Sequence, residues 1–123
     1  MKLHLATPSG QNQITGYADG YVAVNGTRYQ HSLVVLPDSL IEPWDIAGFD
    51  ALSRAHFEYL LSLQPEIVLL GTGTQLRFPA PALSRPLLAA RIGLEVMDTR
   101  AACRTYNILM AEGRKVAAAL LLD

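Results

Sequence analysis

The sequence predicts an α/β domain with α+β character: a single three-layer domain with helices packed on a mixed central sheet and an N-terminal β-hairpin section. Three observations predict this fold. The chain has 123 residues, half of them hydrophobic, which is enough for one domain with its own core. The first third is strand-like, and the rest alternates helical and strand-like segments. No internal repeat, low-complexity tract or charge run marks a boundary, so residues 1–123 are expected to form one domain.

The first third of the chain carries the hairpin. Residues 2–6 alternate weakly between apolar and polar side chains. Asn25-Gly26 separates two strand-like runs and predicts a type I′ turn, because both central positions of that turn need a positive φ. The alternation that follows predicts one strand from Thr27 that enters the core and ends at Pro37. Its core-facing side chains are Tyr29, His31, Leu33 and Val35, so His31 is expected to be a packing histidine.

The first predicted helix covers residues 49–63. Asp50 can cap this helix or oppose its dipole, and Pro65 stops it. In the connecting segment before it, Trp44 is the only tryptophan of the chain and is expected to anchor that segment on the core. The helix is expected to turn inward Leu52, Ala55, Tyr59, Leu60 and Leu63.

Two further helices are predicted. One covers residues 81–91, begins or kinks at Pro86, and is ended by Gly93. The other starts at the Asp98-Thr99 cap and ends at Gly113. Their inward-facing residues are expected to be Leu83, Leu87 and Ala90, and then Ala102, Tyr106, Leu109 and Met110.

Three strand-like segments complete the alternating part of the chain. Residues 66–70 are apolar on both faces, which is typical of an inner strand in a covered sheet. Residues 94–98 form a second strand. Residues 115–122 are rich in alanine, but Gly113 breaks the helical register before them, so a final central strand is predicted there.

Charge and composition exclude some classes of protein. Ten Lys and Arg residues against 11 Asp and Glu residues give a net charge of −1, so the basic footprint of a nucleic-acid binder is missing. A single cysteine cannot form an internal disulfide, which favours a cytoplasmic location. No signal peptide and no apolar run of about 18 residues is recognisable, so a soluble protein without membrane insertion is expected.

Two glycines and two threonines, Gly71, Thr72, Gly73 and Thr74, follow the predicted inner strand. Glycines at the carboxyl end of such a strand can turn backbone N–H groups toward an anion. However, no lysine follows as in a phosphate-binding P-loop, and the third glycine of a dinucleotide fingerprint is absent. The segment is therefore expected to be a strand-end turn, with the rim of a small-ligand pocket as the alternative and no nucleotide cofactor.

The start of the third helix supplies the other candidate side chains. Arg100 and Arg104 lie one helical turn apart, and a planar guanidinium suits a carboxylate or a phosphate. The alternative is a solvated basic face with an ordinary cap. The candidate ligand-binding residues are Gly71, Thr72, Gly73, Thr74, Arg77, Asp98, Thr99 and Arg104. The candidate protein-interaction residues are Trp44, Arg100, Arg104 and Asn107.

No catalytic set and no metal site are predicted. His4, His31 and His56 are scattered without metal-ligand spacing, and no serine-nucleophile motif is present. Cys103 has no histidine close in sequence, so a buried structural thiol is expected rather than a nucleophile. Enzymatic activity is left open, with its absence favoured.

The second half of the chain resembles a known family. The stretches "LLGTGTQLRFP" and "EVMDTRAACRTYNILMAEGRKVAAALLL", with "HSLVVLP" and Trp44 before them, are similar to a small-domain family that includes mitochondrial complex I (NADH:ubiquinone oxidoreductase) assembly factor 3 and an adipogenesis-associated relative. The glycine loop and the Thr99, Asn107 and Arg114 segment are the most specific parts. Bacterial members of this family are mostly proteins of unknown function.

The resemblance implies a single α/β domain with a β-rich layer beside a three-layer core, and no known catalytic residues. It also implies a non-enzymatic role for the mitochondrial relative, which binds protein partners while a membrane respiratory complex is assembled. Two hypotheses therefore stand beside each other: an interaction or assembly factor for complex I, and a small-molecule or anion binder, or an unrecognised enzyme, with its pocket at Gly71–Thr74. The oligomeric state is not predicted.

Overall fold

The computed structural model describes residues 10–123. The prediction for residues 2–6 and His4 therefore lies outside the described residues. The strands are β1 (Ile14–Ala18), β2 (Tyr21–Val24), β3 (Thr27–Tyr29), β4 (Leu33–Leu36), β5 (Ser39–Ile41), β6 (Ile67–Gly71), β7 (Gly93–Met97) and β8 (Val116–Leu120). The helices are α1 (Arg54–Ser62), α2 (Arg85–Ala89) and α3 (Thr99–Ala111), with 3-10 turns at Phe49–Ala51 and Pro81–Ser84.

The central sheet is mixed, as predicted. Its five strands lie in the order β5-β4-β8-β6-β7. Strand β6 is parallel to both β7 and β8, whereas β4 is antiparallel to β8. The predicted inner strand β6 and the predicted final central strand β8 are both confirmed, and every residue of β8 is buried. This arrangement brings the carboxyl ends of β6, β7 and β8 to one edge of the sheet.

Two apolar cores, one on each face of the central sheet, produce the predicted three layers. One core packs Phe57, Leu60 and Leu87 of α1 and α2 against the sheet. The other core packs Ala102, Tyr106 and Met110 of α3 against the opposite face. The three-stranded sheet β1-β2-β3 shares this second core through Ile14, Val22 and Val24.

The hairpin at Asn25-Gly26 is confirmed, since β2 and β3 pair antiparallel and both turn residues have positive φ values of 52° and 86°. The small sheet is fastened to α3 by side chains that act on the backbone of β1. Asn107 Oδ1 accepts from Ile14 N at 2.9 Å, and Asn107 Nδ2 donates to Ile14 O at 2.7 Å. Tyr106 adds a hydrogen bond from its hydroxyl to Asn12 O at 2.8 Å.

The single strand predicted from Thr27 to Pro37 is wrong, because β3 and β4 belong to different sheets. The apolar alternation continues through the break because Tyr29 and Leu33 pack against the same core. His31, at the break, is exposed and pairs with Glu42, so its predicted packing role is also wrong.

The predicted helix bounds need correction. Residues 49–63 divide into a 3-10 turn and α1, because Ser53 starts α1 and its N–H donates to His56 Nδ1 at 3.1 Å. Asp50 does not cap α1. Phe57 is buried, whereas Ala55 and Tyr59, which were predicted to face inward, are exposed.

The second helical region is also shorter than predicted. A 3-10 turn precedes α2, which begins at Arg85. Pro86 lies in the first turn of α2, where a backbone N–H would have no partner within the helix, so the proline is tolerated. Gly93 does not end this helix, because it is already the first residue of β7, and Ala90 is exposed. By contrast, Trp44 is 4% exposed and anchors the connecting segment on the core, as predicted.

Candidate functional site

The glycine loop, Gly71–Thr74, lies at the carboxyl edge of the central sheet, directly against the start of α3. A Cβ atom on Gly71 would lie 2.9 Å from Thr99 Oγ1 and 3.0 Å from Thr99 Cα. These separations are closer than ordinary contacts, so the first glycine lets α3 approach the end of β6. The strand-end turn predicted from the sequence thus has a packing reason.

Thr99 joins three segments at this edge with one buried hydroxyl. Its Oγ1 accepts from Gly73 N at 2.8 Å and donates to Leu121 O at 2.8 Å. The side chain is 6% exposed, so both bonds are shielded from water. Thr99 therefore ties the glycine loop to the segment that follows β8.

Thr72 closes the other side of the loop. Its hydroxyl donates to Gln75 O at 2.6 Å and accepts from Arg77 N at 3.2 Å. Its backbone N–H donates to Met97 O at 2.9 Å, at the end of β7. The loop is therefore held rigidly by its own threonines.

Asp123, which is not among the residues predicted from the sequence, occupies the tip of the glycine loop. Thr74 N donates to both carboxylate oxygens at 3.2 Å, and Thr74 Oγ1 donates to Oδ2 at 2.7 Å. Gly73 has a φ of +97°, and a Cβ atom there would lie 1.9 Å from Asp123 Oδ1. Position 73 therefore requires glycine for two reasons: the positive φ, and the lack of space for a Cβ atom beside the Asp123 carboxylate.

Two cavities meet at Asp123. The smaller has a volume of about 70 Å³ and is also lined by Gly73, Thr99 and Arg100 and by the turn between β1 and β2. The larger has a volume of about 280 Å³ and is also lined by Thr72 and Arg77. Residues 121–123 contribute to the wall of each cavity.

The predicted ligand-binding residues converge only in part. The four loop residues and Thr99 lie together. Asp98 caps α3, accepting from Ala101 N at 2.8 Å. Arg77 lines the larger cavity but also pairs with Asp50 at 2.6 Å. Arg104 lines neither cavity and contacts Tyr17 OH at 3.4 Å, a hydrogen bond that raises the pKa of the guanidinium.

The predicted protein-interaction residues make contacts within the chain. Arg100 lies over the ring of Tyr17, with its guanidinium carbon 5.5 Å from the ring centre. Together with Arg104 and Asn107 it holds the small sheet against α3. Trp44 is buried, so its ring offers little surface to another molecule. Arg100 and Arg104 remain exposed and accessible.

A different surface presents large apolar side chains to solvent. Leu76 and Phe78 are 53% and 71% exposed, and we call residues 76–78 the apolar loop. Between them, Arg77 lies over the ring of Phe49, with its guanidinium carbon 4.2 Å from the ring centre. The segment forms neither helix nor strand. The signal available in the sequence was two apolar residues flanking an arginine, followed by prolines that exclude a regular partner strand.

Cys103 is a buried thiol, as predicted. Its side chain is 0% exposed, and burial raises its pKa to about 12 although Arg104 acts in the opposite direction. We expect the thiol of the folded protein to react with a disulfide reagent at pH 8 about a thousandfold more slowly than in denaturant, because access requires opening of the core. Stopped-flow labelling with and without guanidinium measures this ratio, and equal rates would contradict the burial.

The described part of the chain shows no group of three His, Cys, Asp and Glu side chains arranged to hold a metal ion. Within residues 10–123, none of the helices combines the length and the apolar character needed to cross a bilayer.

Comparison with known proteins gives concordant results. The chain is 34% identical over 110 residues to bovine NADH dehydrogenase [ubiquinone] 1 alpha subcomplex assembly factor 3, covering 88% of this chain and 59% of that protein. It is 28% identical over 106 residues to the 13 kDa major membrane protein of Francisella tularensis subsp. holarctica, covering 85% of this chain and 86% of the relative. The chain therefore spans about three fifths of the bovine relative's length.

A solved structure confirms the fold. The crystal structure of a Bordetella parapertussis protein superposes with a TM-score of 0.87 at 42% identity, covering 94% of this chain and all of that one. A family model described as "Protein of unknown function (DUF498/DUF598)" matches residues 14–121, which include both sheets and all three helices. The chain therefore belongs to the DUF498/DUF598 family, which the sequence resemblance had indicated through its complex I assembly relatives.

Proposed function

We propose that this protein is a non-enzymatic interaction factor that takes part in the assembly of a membrane respiratory complex of the complex I type, and that it contacts its partner through the apolar loop. The observation that carries this proposal is the exposure of Leu76 and Phe78. Burial of a leucine or phenylalanine side chain contributes about 1.5–3 kcal/mol, so a surface that keeps two of them in water is suited to cover by a partner.

The apolar loop is held in one conformation before a partner arrives. Arg77 N donates to Thr72 Oγ1 at 3.2 Å, and the Arg77 guanidinium is fixed between Phe49 and Asp50. These contacts restrict the backbone and the Arg77 side chain, so the flanking side chains lose less conformational entropy when a partner binds. Preorganisation of this kind strengthens binding because fewer rotatable groups are immobilised on association.

The relatives support the choice of partner class. The bovine relative is named as an assembly factor of NADH dehydrogenase [ubiquinone], and the Francisella relative as a membrane protein. A cytoplasmic protein that docks on membrane subunits would agree with both names. We therefore propose a cytoplasmic location at the membrane surface, with a partner that offers an apolar pocket to Phe78.

The test is partner recovery by tagged protein from gently solubilised membranes of the native organism. The double variant Leu76→Ser/Phe78→Ser is expected to recover respiratory-complex subunits or assembly intermediates at least about tenfold less than the unaltered protein, because aromatic anchors dominate interface energies. Ile108→Ser is the matched control, since Ile108 is 59% exposed on α3, across the central sheet from α1 and α2. Its recovery should match that of the unaltered protein.

Both variants change exposed side chains, so their free energies of unfolding should stay within about 0.5 kcal/mol of the unaltered protein. Recovery that depends equally on Ile108 and on the apolar loop would refute the assigned surface. Absence of respiratory subunits from the unaltered protein's eluate would refute the assigned role.

A further inference from the structure

The three residues that follow β8 form a strap across the glycine loop. Leu121 N donates to Gly71 O at 2.9 Å, and Leu122 N donates to Ser32 Oγ at 3.1 Å. We call residues 121–123 the strap. Its first two residues are fixed by the backbone of β6 and by buried Ser32, whereas Asp123 is exposed and is held only by Thr74 among the hydrogen bonds of the described residues.

The contact between Asp123 and Thr74 resembles the way a protein holds a carboxylate ligand. One backbone N–H faces both oxygens at equal distances of 3.2 Å, and one hydroxyl donates to a single oxygen at 2.7 Å. Gly73 leaves the space that the carboxylate fills, because a Cβ atom there would occupy the position of Oδ1. The receptor consists of atoms of the loop that follows β6, and the carboxylate comes from a separate segment 49 residues away in sequence.

The cavities around the strap indicate what could replace Asp123. The strap lines both the 70 Å³ cavity beside Arg100 and the 280 Å³ cavity beside Arg77. Withdrawal of the Asp123 side chain, which lines both, would open space between them at the Thr74 donors. The joined space would fall at the lower end of the range for small-molecule sites, which begins at about 300 Å³. It would carry a guanidinium on each side, which suits an acidic ligand.

We propose that Gly73 and Thr74 form a binding subsite for the carboxylate group of a small organic acid, and that Asp123 is its built-in competitor. The ligand carboxylate takes the hydrogen bonds of Asp123 when the Asp123 side chain withdraws, and the rest of the ligand extends toward Arg77. No covalent step is involved. The inference rests on the strap and the cavities; Arg77 also belongs to the apolar loop, but the inference does not use the exposure of Leu76 and Phe78 that carries the proposed function.

The test uses acetate and succinate as probes and the amide signals of Thr74 and Leu122 in ¹⁵N-resolved NMR spectra. In Asp123→Ala, acetate is expected to shift the Thr74 amide saturably. In the unaltered protein the apparent affinity for acetate should be at least about tenfold weaker, because an intramolecular carboxylate competes at an effective concentration in the millimolar range. Thr74→Val in the Asp123→Ala background keeps the N–H, loses the hydroxyl and should weaken acetate binding again.

Chloride at the same ionic strength is the control for a general salt effect. An Asp123→Ala protein whose Thr74 amide responds to acetate no more than to chloride, or no more than in the unaltered protein, would overturn the proposal. If the Asp123→Ala variant does not fold, a succinate titration of the unaltered protein tests the proposal instead. Succinate should shift the amide signals of Thr74 and Leu122 together as it displaces the Asp123 side chain. A titration that moves neither amide signal would also overturn the proposal.

Discussion

Replacement of Thr99 by valine is expected to lower the free energy of unfolding by about 2–4 kcal/mol. Valine has nearly the same shape as threonine but no hydroxyl, so Gly73 N–H and Leu121 C=O would both lose their partner. Thr99 is 6% exposed, and a buried polar group without a partner costs about 1–3 kcal/mol. Urea unfolding followed by circular dichroism measures the change.

Thr99→Ser is the matched control for this substitution. Serine keeps the hydroxyl that bridges the glycine loop and the strap, so most of the stability should return despite the lost methyl group. If valine and serine gave equal stability, the bridge would not contribute as described. A valine variant within about 0.5 kcal/mol of the unaltered protein would mean that water satisfies both backbone groups.

Gly71→Ala is expected to destabilise the fold by about 1–3 kcal/mol, the usual cost of overpacking a well-packed site. The added Cβ would lie 2.9 Å from Thr99 Oγ1, 3.0 Å from Thr99 Cα and 3.2 Å from Ala102 Cβ. Because one of these is a backbone atom, α3 as a whole would have to move away from β6. Urea unfolding reports the loss, and the Thr99 amide signal should shift with the helix.

Gly93→Ala tests whether the effect is specific to the carboxyl edge of the sheet. Gly93 pairs with Ile67 at the opposite end of the same β6–β7 ladder, where a Cβ atom would meet only Ile67 side-chain atoms at 3.5 Å or more. The free energy of unfolding of Gly93→Ala should differ from that of the unaltered protein by no more than about 0.5 kcal/mol. Equal losses at Gly71 and Gly93 would show that the close approach of α3 is not the cause.

The layered fold was predictable because its signals are local. Asn25-Gly26 specifies a hairpin through backbone conformation alone, and the apolar strand β6 needs cover on both faces. The two sheets were not predictable, since β3 and β4 turn their apolar residues to one shared core. The alternation of apolar and polar residues typical of a strand therefore continues from β3 into β4, although the chain bends between them and passes from one sheet to the other.

The candidate site was only partly predictable from the sequence. The glycines mark the loop, and the Asp98-Thr99 cap marks the start of α3, which the fold brings against it. Asp123 completes the site from 49 residues away in sequence, and a single carboxylate after a strand has no local signature. The arginines mislead for a related reason. A surface arginine has the same pattern whether it binds a ligand or, like Arg104, contacts Tyr17 of the same chain.

The exposed apolar loop was not predicted because exposure depends on tertiary packing. Leu76 and Phe78 are apolar, and apolar residues usually contribute to a core. Here Arg77 lies against Phe49 and Asp50, while its two neighbours are left in solvent. The contact with Phe49 depends on the folded position of a segment 28 residues earlier in the sequence, which no local pattern predicts.

The most direct test of the interaction role places a photo-crosslinking phenylalanine analogue at position 78 or, as control, at position 108, in cells of the native organism. We expect irradiation to link position 78 to a subunit or assembly intermediate of a membrane respiratory complex, and position 108 to give no such product. Crosslinks to respiratory subunits from position 108 but not from position 78, or from neither, would contradict the account. A product from position 78 would also identify the partner residue that covers Phe78.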